Sequence, residues 1–129
     1  MKHVLIMDDN MQLAFDWRDA FVLNGNEVTL CFNGDEAIAH LEKTKFDLVI
    51  TDLFVANAMG GLHVVTKILA MKEKKPPTIA VTGTRLYSKP KDDMNFFLRQ
   101  VKQLGVSATI EKPFAPGELV CMAQELWDS

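Results

Sequence analysis

Polar residues recur in this chain at or just behind the ends of short strand-like runs. Asp8 and Asp9 follow Val4-Leu5-Ile6-Met7, Asp52 follows Leu48-Val49-Ile50-Thr51, Thr82 closes Ile79-Ala80-Val81, and Lys112 comes after Thr109-Ile110-Glu111. If these runs are strands of one parallel sheet, right-handed crossovers bring all their C-terminal ends to a single edge, where such sheets bind ligands. Three carboxylates gathered there repel, and without a counter-charge at least one is driven towards its protonated form. A hard divalent cation resolves the conflict. Mg²⁺ takes oxygen ligands, keeps several waters, and is usually held by one or two carboxylates together with a phosphate. The formal charges of three aspartates, one such metal and Lys112 balance. The same group of residues suits the acceptance of a phosphoryl group, with metal and lysine neutralising its oxygens and the Thr82 hydroxyl offering a further donor. Asp52, between the acidic pair and the lysine, is the natural nucleophile.

The elements that must position these residues are legible as alternating patterns. Apolar runs predict strands over 3–7, 27–31, 47–51, 78–82 and 107–110, the first, third and fourth nearly continuously apolar as befits strands covered on both faces. These three are expected at the sheet centre. Helices are predicted over 11–23, 34–41, 62–72, 92–104 and 116–127. In the first, Met11, Ala14, Phe15, Phe21 and Val22 form the apolar set, and Gly25 supplies a stop. Gly105 does the same for the fourth. The last carries Leu119, Val120, Ala123, Leu126 and Trp127. Five βα units of this kind predict an α/β, flavodoxin-like doubly wound (βα)5 parallel sheet in strand order 2-1-3-4-5.

Composition narrows the function classes. A chain of 129 residues, 48% apolar and 24% charged, fits one domain over 1–129. No apolar run is long enough to span a bilayer, and Asp8 and Asp9 interrupt the N-terminal run before it could serve as a signal-peptide core, so a cytoplasmic protein without membrane association is expected. The net charge of −3 offers no basic field for nucleic acid. The run Lys72-Glu73-Lys74-Lys75 before Pro76-Pro77 reads as the solvated end of the third helix. Cys31 and Cys121 lie far apart with no C-x-x-C, and are expected as reduced thiols inside the core. His3, His40 and His63 share neither helical spacing nor a strand end and are assigned no chemistry. Gly60-Gly61 leads into the third helix and is no phosphate loop, since no G-x-x-x-x-G-K-[ST] occurs.

Each polar pair taken alone has an ordinary explanation, an N-cap for Asp8-Asp9 or a strand exit for Lys112-Pro113. Their coincidence at one edge is what carries the reading. In order and placement, Val4-Leu5-Ile6-Met7-Asp8-Asp9, Asp47-Leu48-Val49-Ile50-Thr51-Asp52, Ile79-Ala80-Val81-Thr82-Gly83 and Lys112-Pro113-Phe114 resemble the receiver domains of two-component response regulators, over essentially the whole chain. The resemblance implies that Asp52 is the phosphorylated aspartate and that Mg²⁺, for which Mn²⁺ can substitute, is bound by Asp9, by Asp8 directly or through water, by Asp52 and by the Phe54 carbonyl. It also implies that Thr82 follows the phosphoryl group, that Lys112 contacts its oxygens, and that the Lys112–Pro113 peptide is cis. The implied partners are a histidine kinase or histidine phosphotransfer protein as donor and a downstream protein that the sequence does not name. Such a domain is a phosphoacceptor that assists its own phosphorylation and dephosphorylation, not a conventional enzyme.

The chain departs from that family in its switch. Thr109 stands where receivers usually carry an aromatic residue, the loop Val55-Ala56-Asn57-Ala58-Met59 lacks the usual proline, and the stretch from Thr82 to Lys112 has a surplus assigned to 85–93. Signal output is then expected through 83–93 and the fourth helix. With the last predicted helix ending near Ser129, the chain reads either as a stand-alone, chemotaxis-regulator-like receiver or as one excised from a longer protein. One rival is a pseudo-receiver that binds partners without phosphorylation. Another is a haloacid-dehalogenase-type phosphatase, which needs an aspartate two positions beyond its nucleophile, where this chain has Phe54.

Overall fold

The structure, a computed structural model, describes residues 1–53, 60–72, 75–82, 102–103 and 105–129. Five strands, β1 (His3–Met7), β2 (Glu27–Cys31), β3 (Leu48–Asp52), β4 (Thr78–Thr82) and β5 (Ala108–Glu111), form one parallel sheet in the order β2-β1-β3-β4-β5. The described helices are α1 (Met11–Leu23), α2 (Gly34–Lys43), α3 (Gly60–Leu69) and α4 (Pro116–Asp128). This is the flavodoxin-like doubly wound arrangement, with the apolar strands β1, β3 and β4 in the middle.

Strand side chains alternate between faces, and in β1 both sets are buried because helices cover both sides. Val4 and Ile6 join Leu48, Ile50, Ile79 and Val81 on one face, packed against Ala14, Trp17 and Phe21 of α1 and Leu119 and Ala123 of α4. Leu5 and Met7 join Val49 on the other, against Ala37 and Leu41 of α2 and Val64 and Ile68 of α3. Each of the valine, leucine, isoleucine, methionine and phenylalanine side chains withdrawn fully from water contributes about 1.5–3 kcal/mol before conformational entropy is set against it.

Local signals set the helix ends. Asn10 caps α1, its side chain accepting from the Leu13 amide at 3.1 Å, and Gly25 at φ +84° takes the left-handed turn that ends it. At α2 the Asn33 side chain accepts from the Glu36 amide at 2.9 Å while Glu36 accepts from the Phe32 amide at 3.1 Å, an N-terminal box of reciprocal bonds. Pro116 opens α4, its fixed φ suited to a first turn that has no side-chain cap.

Four expectations change. In α1 the buried residues are Ala14, Trp17 and Phe21, whereas Met11 is 55% and Val22 52% exposed. The inward face follows the i, i+3, i+7 spacing of 14, 17 and 21, and Met11 and Val22 fall off it. The helix predicted over 62–72 runs instead from Gly60 to Leu69, where a tightened turn from the Met71 amide to the Ile68 carbonyl closes it. Lys72 therefore lies beyond the helix, and Lys67 is the basic residue of its last turn. Cys31 is buried as expected, but Cys121 is exposed, on the outer side of α4. Finally, β3 and β5 start and end one residue later than predicted, because Leu53 and Lys112 still donate to the Val81 and Thr82 carbonyls and keep the ladders intact. The predicted helix over 92–104 lies almost wholly outside the described residues. At its end, Gly105 has φ +110° and donates to the Lys102 carbonyl. No described helix is long and apolar enough to cross a membrane.

Candidate functional site

The parallel register brings the expected residues to one edge. Met7 pairs with Thr51, Asp52 with Val81 and Thr82 with Glu111, so the turn after β1, the end of β3, the end of β4 and the turn after β5 are neighbours. Asp52 is itself the last residue of β3, 3% exposed, held by strand pairing instead of hanging on a loop. Asp8 is fully buried just past β1; its amide donates to the Cys31 carbonyl at 3.2 Å and its Oδ1 accepts from the Asn10 amide at 2.8 Å. Asp9 is half-buried. One carboxylate oxygen from each of Asp8, Asp9 and Asp52 lies within 4.8 Å of the others.

Lys112 enters this acidic group from β5. Its Nζ stands 2.7 Å from Asp8 Oδ2 and 2.9 Å from Asp52 Oδ2. The peptide that follows, Lys112–Pro113, is cis. Burial pushes the Lys112 ammonium towards deprotonation, but hydrogen bonds to Asp8 and Asp52 outweigh this and raise its pKa above the ordinary lysine value. Burial likewise pushes the Asp8 carboxyl up, and the nearby Asp52 adds to the rise, while the Lys112 and Asn10 bonds only partly offset it. Asp8 is thus a carboxylate short of positive charge. The Thr82 hydroxyl is fully buried and, among the described residues, has no hydrogen-bond partner. A buried polar group left unbonded costs free energy, which marks this hydroxyl as a donor for an oxygen brought to the site.

The donor set fits a hard divalent cation: carboxylate oxygens at short mutual range, an excess of negative charge, and one buried carboxyl whose ionisation is resisted. The Phe54 carbonyl, implied as a further ligand, lies outside the described residues, as does the 83–93 segment implied in output. Thr109 is a half-buried β5 residue paired with Ala80. Cys31, whose carbonyl holds the Asp8 amide, carries a thiol pushed up to about 12 by burial and by Glu36, so it is protonated and inert.

One residue near the site escaped the sequence reading. Trp17 of α1 has its ring centroid 5.6 Å from Lys112 Nζ and stacks on Phe114 at 5.2 Å with the planes 20° apart. The spacing of Ala14, Trp17 and Phe21 could have placed it inward. Nothing in the sequence pairs a helix position with a lysine beyond the fifth strand.

Known proteins resemble this chain. The transcription factor SKN7 of Candida albicans is 32% identical over 117 residues, 91% of this chain and 19% of that protein. A response regulator receiver protein of Anaeromyxobacter, Anae109_2439, is 31% identical over 115 residues, 89% of this chain and 44% of its own length. This chain therefore spans less than half of either relative. Among solved structures, the receiver domain of the sensor histidine kinase PA1611 of Pseudomonas aeruginosa, determined with magnesium coordinated in its active-site cleft, superposes with a TM-score of 0.78 at 23% identity, covering 99% of this chain and 98% of that one. The family model for the response regulator receiver domain matches residues 4–124, and with the sheet order and acidic edge described above, the chain belongs to the receiver domains of two-component signalling.

Proposed function

We propose that this chain, as one receiver domain over 1–129, accepts a phosphoryl group onto Asp52 from the phosphohistidine of a histidine kinase or histidine phosphotransfer protein and signals through contacts with a downstream protein. The observation that carries the proposal is the placement of Lys112 Nζ against both Asp8 and Asp52, with the Asp9 carboxylate and the Thr82 hydroxyl at the same sheet edge. In the reaction an Asp52 carboxylate oxygen bonds to phosphorus as the bond from phosphorus to the imidazole nitrogen breaks. The electron pair of the broken bond stays on the imidazole. There is little covalent work beyond this, so positioning and charge neutralisation dominate the catalysis. Lys112 supplies a positive charge to the phosphoryl oxygens, and Thr82 supplies a hydroxyl donor. Asp8, Asp9, Asp52 and the Phe54 carbonyl would hold Mg²⁺, or Mn²⁺ in its place, and the bound ion would neutralise phosphoryl charge. The partners are proteins and not nucleic acid or membrane, and the setting is the cytoplasm.

Treatment with acetyl phosphate and Mg²⁺, followed by intact-mass measurement, tests the proposal. A single hydroxylamine-sensitive phosphoryl adduct is expected on the natural chain and none on Asp52→Asn. Equal labelling of the two would remove Asp52 as the acceptor. A folded natural chain that takes no phosphoryl group from either acetyl phosphate or a phosphorylated histidine phosphotransfer protein would instead be behaving as a phosphorylation-independent pseudo-receiver.

A further inference from the structure

A lysine that must act at one point in space has a structural difficulty. Its four-carbon stem is flexible and its ammonium is a point charge without the directional fork of a guanidinium. Three carboxylates attract the Lys112 ammonium without selecting among themselves. The structure gives it a second contact, from an aromatic ring on α1. Trp17, 1% exposed on α1, places its indole 5.6 Å from Lys112 Nζ, within the range of a cation–π contact. The same indole stacks at 5.2 Å on Phe114, two residues further along. One side chain on α1 therefore contacts both the charged head of Lys112 and the ring of Phe114, two residues further along the same segment. Packing against Val4, Ile6 and Phe21 would be served by any large aliphatic residue at this position. An aromatic face beneath an ammonium is not so replaceable.

We propose that Trp17 is a positioning residue for phosphoryl acceptance, fixing the Lys112 ammonium beside Asp52 through its indole face and through the stack on Phe114. The inference rests on the phosphoacceptor reading above. It assigns to α1, which contributes none of the acidic or donor groups, a direct hold on the rate of the reaction.

The test compares rates of adduct formation from acetyl phosphate at saturating Mg²⁺ in the full chain. Trp17→Leu is expected to slow the reaction about three- to tenfold, the span of a partly desolvated cation–π contact. Trp17→Phe should recover most of the rate, and Mg²⁺ affinity should change less than about twofold, because none of the acidic groups is altered. In a Lys112→Ala background, Trp17→Leu should cause no further slowing. An undiminished rate in Trp17→Leu, or equal slowing with and without Lys112, would overturn the inference. A readout independent of folding in the leucine variant comes from Trp127→Phe, which leaves Trp17 as the sole indole of the two in the chain. Its emission should change on Lys112→Ala, and an unchanged spectrum counts against the contact. If the natural chain forms no adduct from acetyl phosphate or from a phosphorylated histidine phosphotransfer protein, the phosphoacceptor reading falls together with this one; if it forms the adduct and Trp17→Leu matches its rate, this inference alone falls.

Discussion

Lys112 and Asp52, sixty positions apart in the chain, meet at 2.9 Å between ammonium and carboxylate. The contact is assembled by register: β3 pairs with β4 and β4 with β5, and each pairing carries one partner to the sheet edge. Three predictions follow the charges gathered there.

Replacing Lys112 with Ala leaves Asp8 buried beside Asp52 without the shared cation. Loss of one partner from a buried pair is costly because the other charge remains. Lys112 is 14% exposed, so water screens part of the effect, and a loss of about 2 kcal/mol is expected at neutral pH without metal. The sign of the lysine's own contribution follows from its raised pKa. Its stabilisation is fully present below the ordinary lysine value and is lost as pH rises through the higher folded value. Urea unfolding of the two proteins at pH 7 checks the magnitude, and extending it into the alkaline range should show the difference shrinking.

Asp8→Asn is expected to stabilise the metal-free protein. Because burial raises the Asp8 pKa above 3.8, the folded state resists ionisation that the unfolded chain accepts. Stability is therefore complete below the unfolded value and declines as pH rises from there through the folded one. The gain from removing the charge, on the order of 1 kcal/mol at pH 7, should fade as the medium is acidified towards pH 4. Thermal unfolding of both proteins across that range in the presence of a chelator measures it. A pH-independent difference would place the effect elsewhere than the Asp8 charge.

Metal should bind before any phosphoryl group does, since it relieves the repulsion among Asp8, Asp9 and Asp52. Mg²⁺ or Mn²⁺ is expected to raise the unfolding temperature of the natural chain in proportion to its saturation. Asp9→Ala should weaken the affinity about tenfold or more. An NMR titration that gives the same dissociation constant for both proteins would exclude Asp9 as a ligand.

Strand positions, sheet order and the five polar residues of the site were readable because they rest on short-range rules: apolar runs bounded by polar residues, and a crossover handedness that leaves one edge for all strand ends. The inward face of α1 was harder. Met11, Phe15 and Val22 are as apolar as Ala14 and Phe21, and only packing against Val4 and Ile6 of β1 decides which of them turn inward. Cys121 failed for a similar reason. It sits between Val120 and Met122, both packed against the core, yet its own angle on α4 points it outward. Trp17's contact with Lys112 lies further still from sequence rules, since it joins a helix to the turn after a strand that lies across the sheet.

The seating of Asp52 inside β3 also has a mechanical meaning. Its backbone pairs with Val81, and the next amide, Leu53, donates to the Val81 carbonyl at 3.0 Å. An aspartate on a loop could absorb an added bulky, charged group by swinging away. This one is clamped by its own ladder, so a group attached to it becomes a fixed reference point, and accommodation falls to the side chains around it. Thr82, whose hydroxyl has no hydrogen-bond partner among the described residues, and Lys112, whose ammonium already touches Asp52, are the groups placed to register the change.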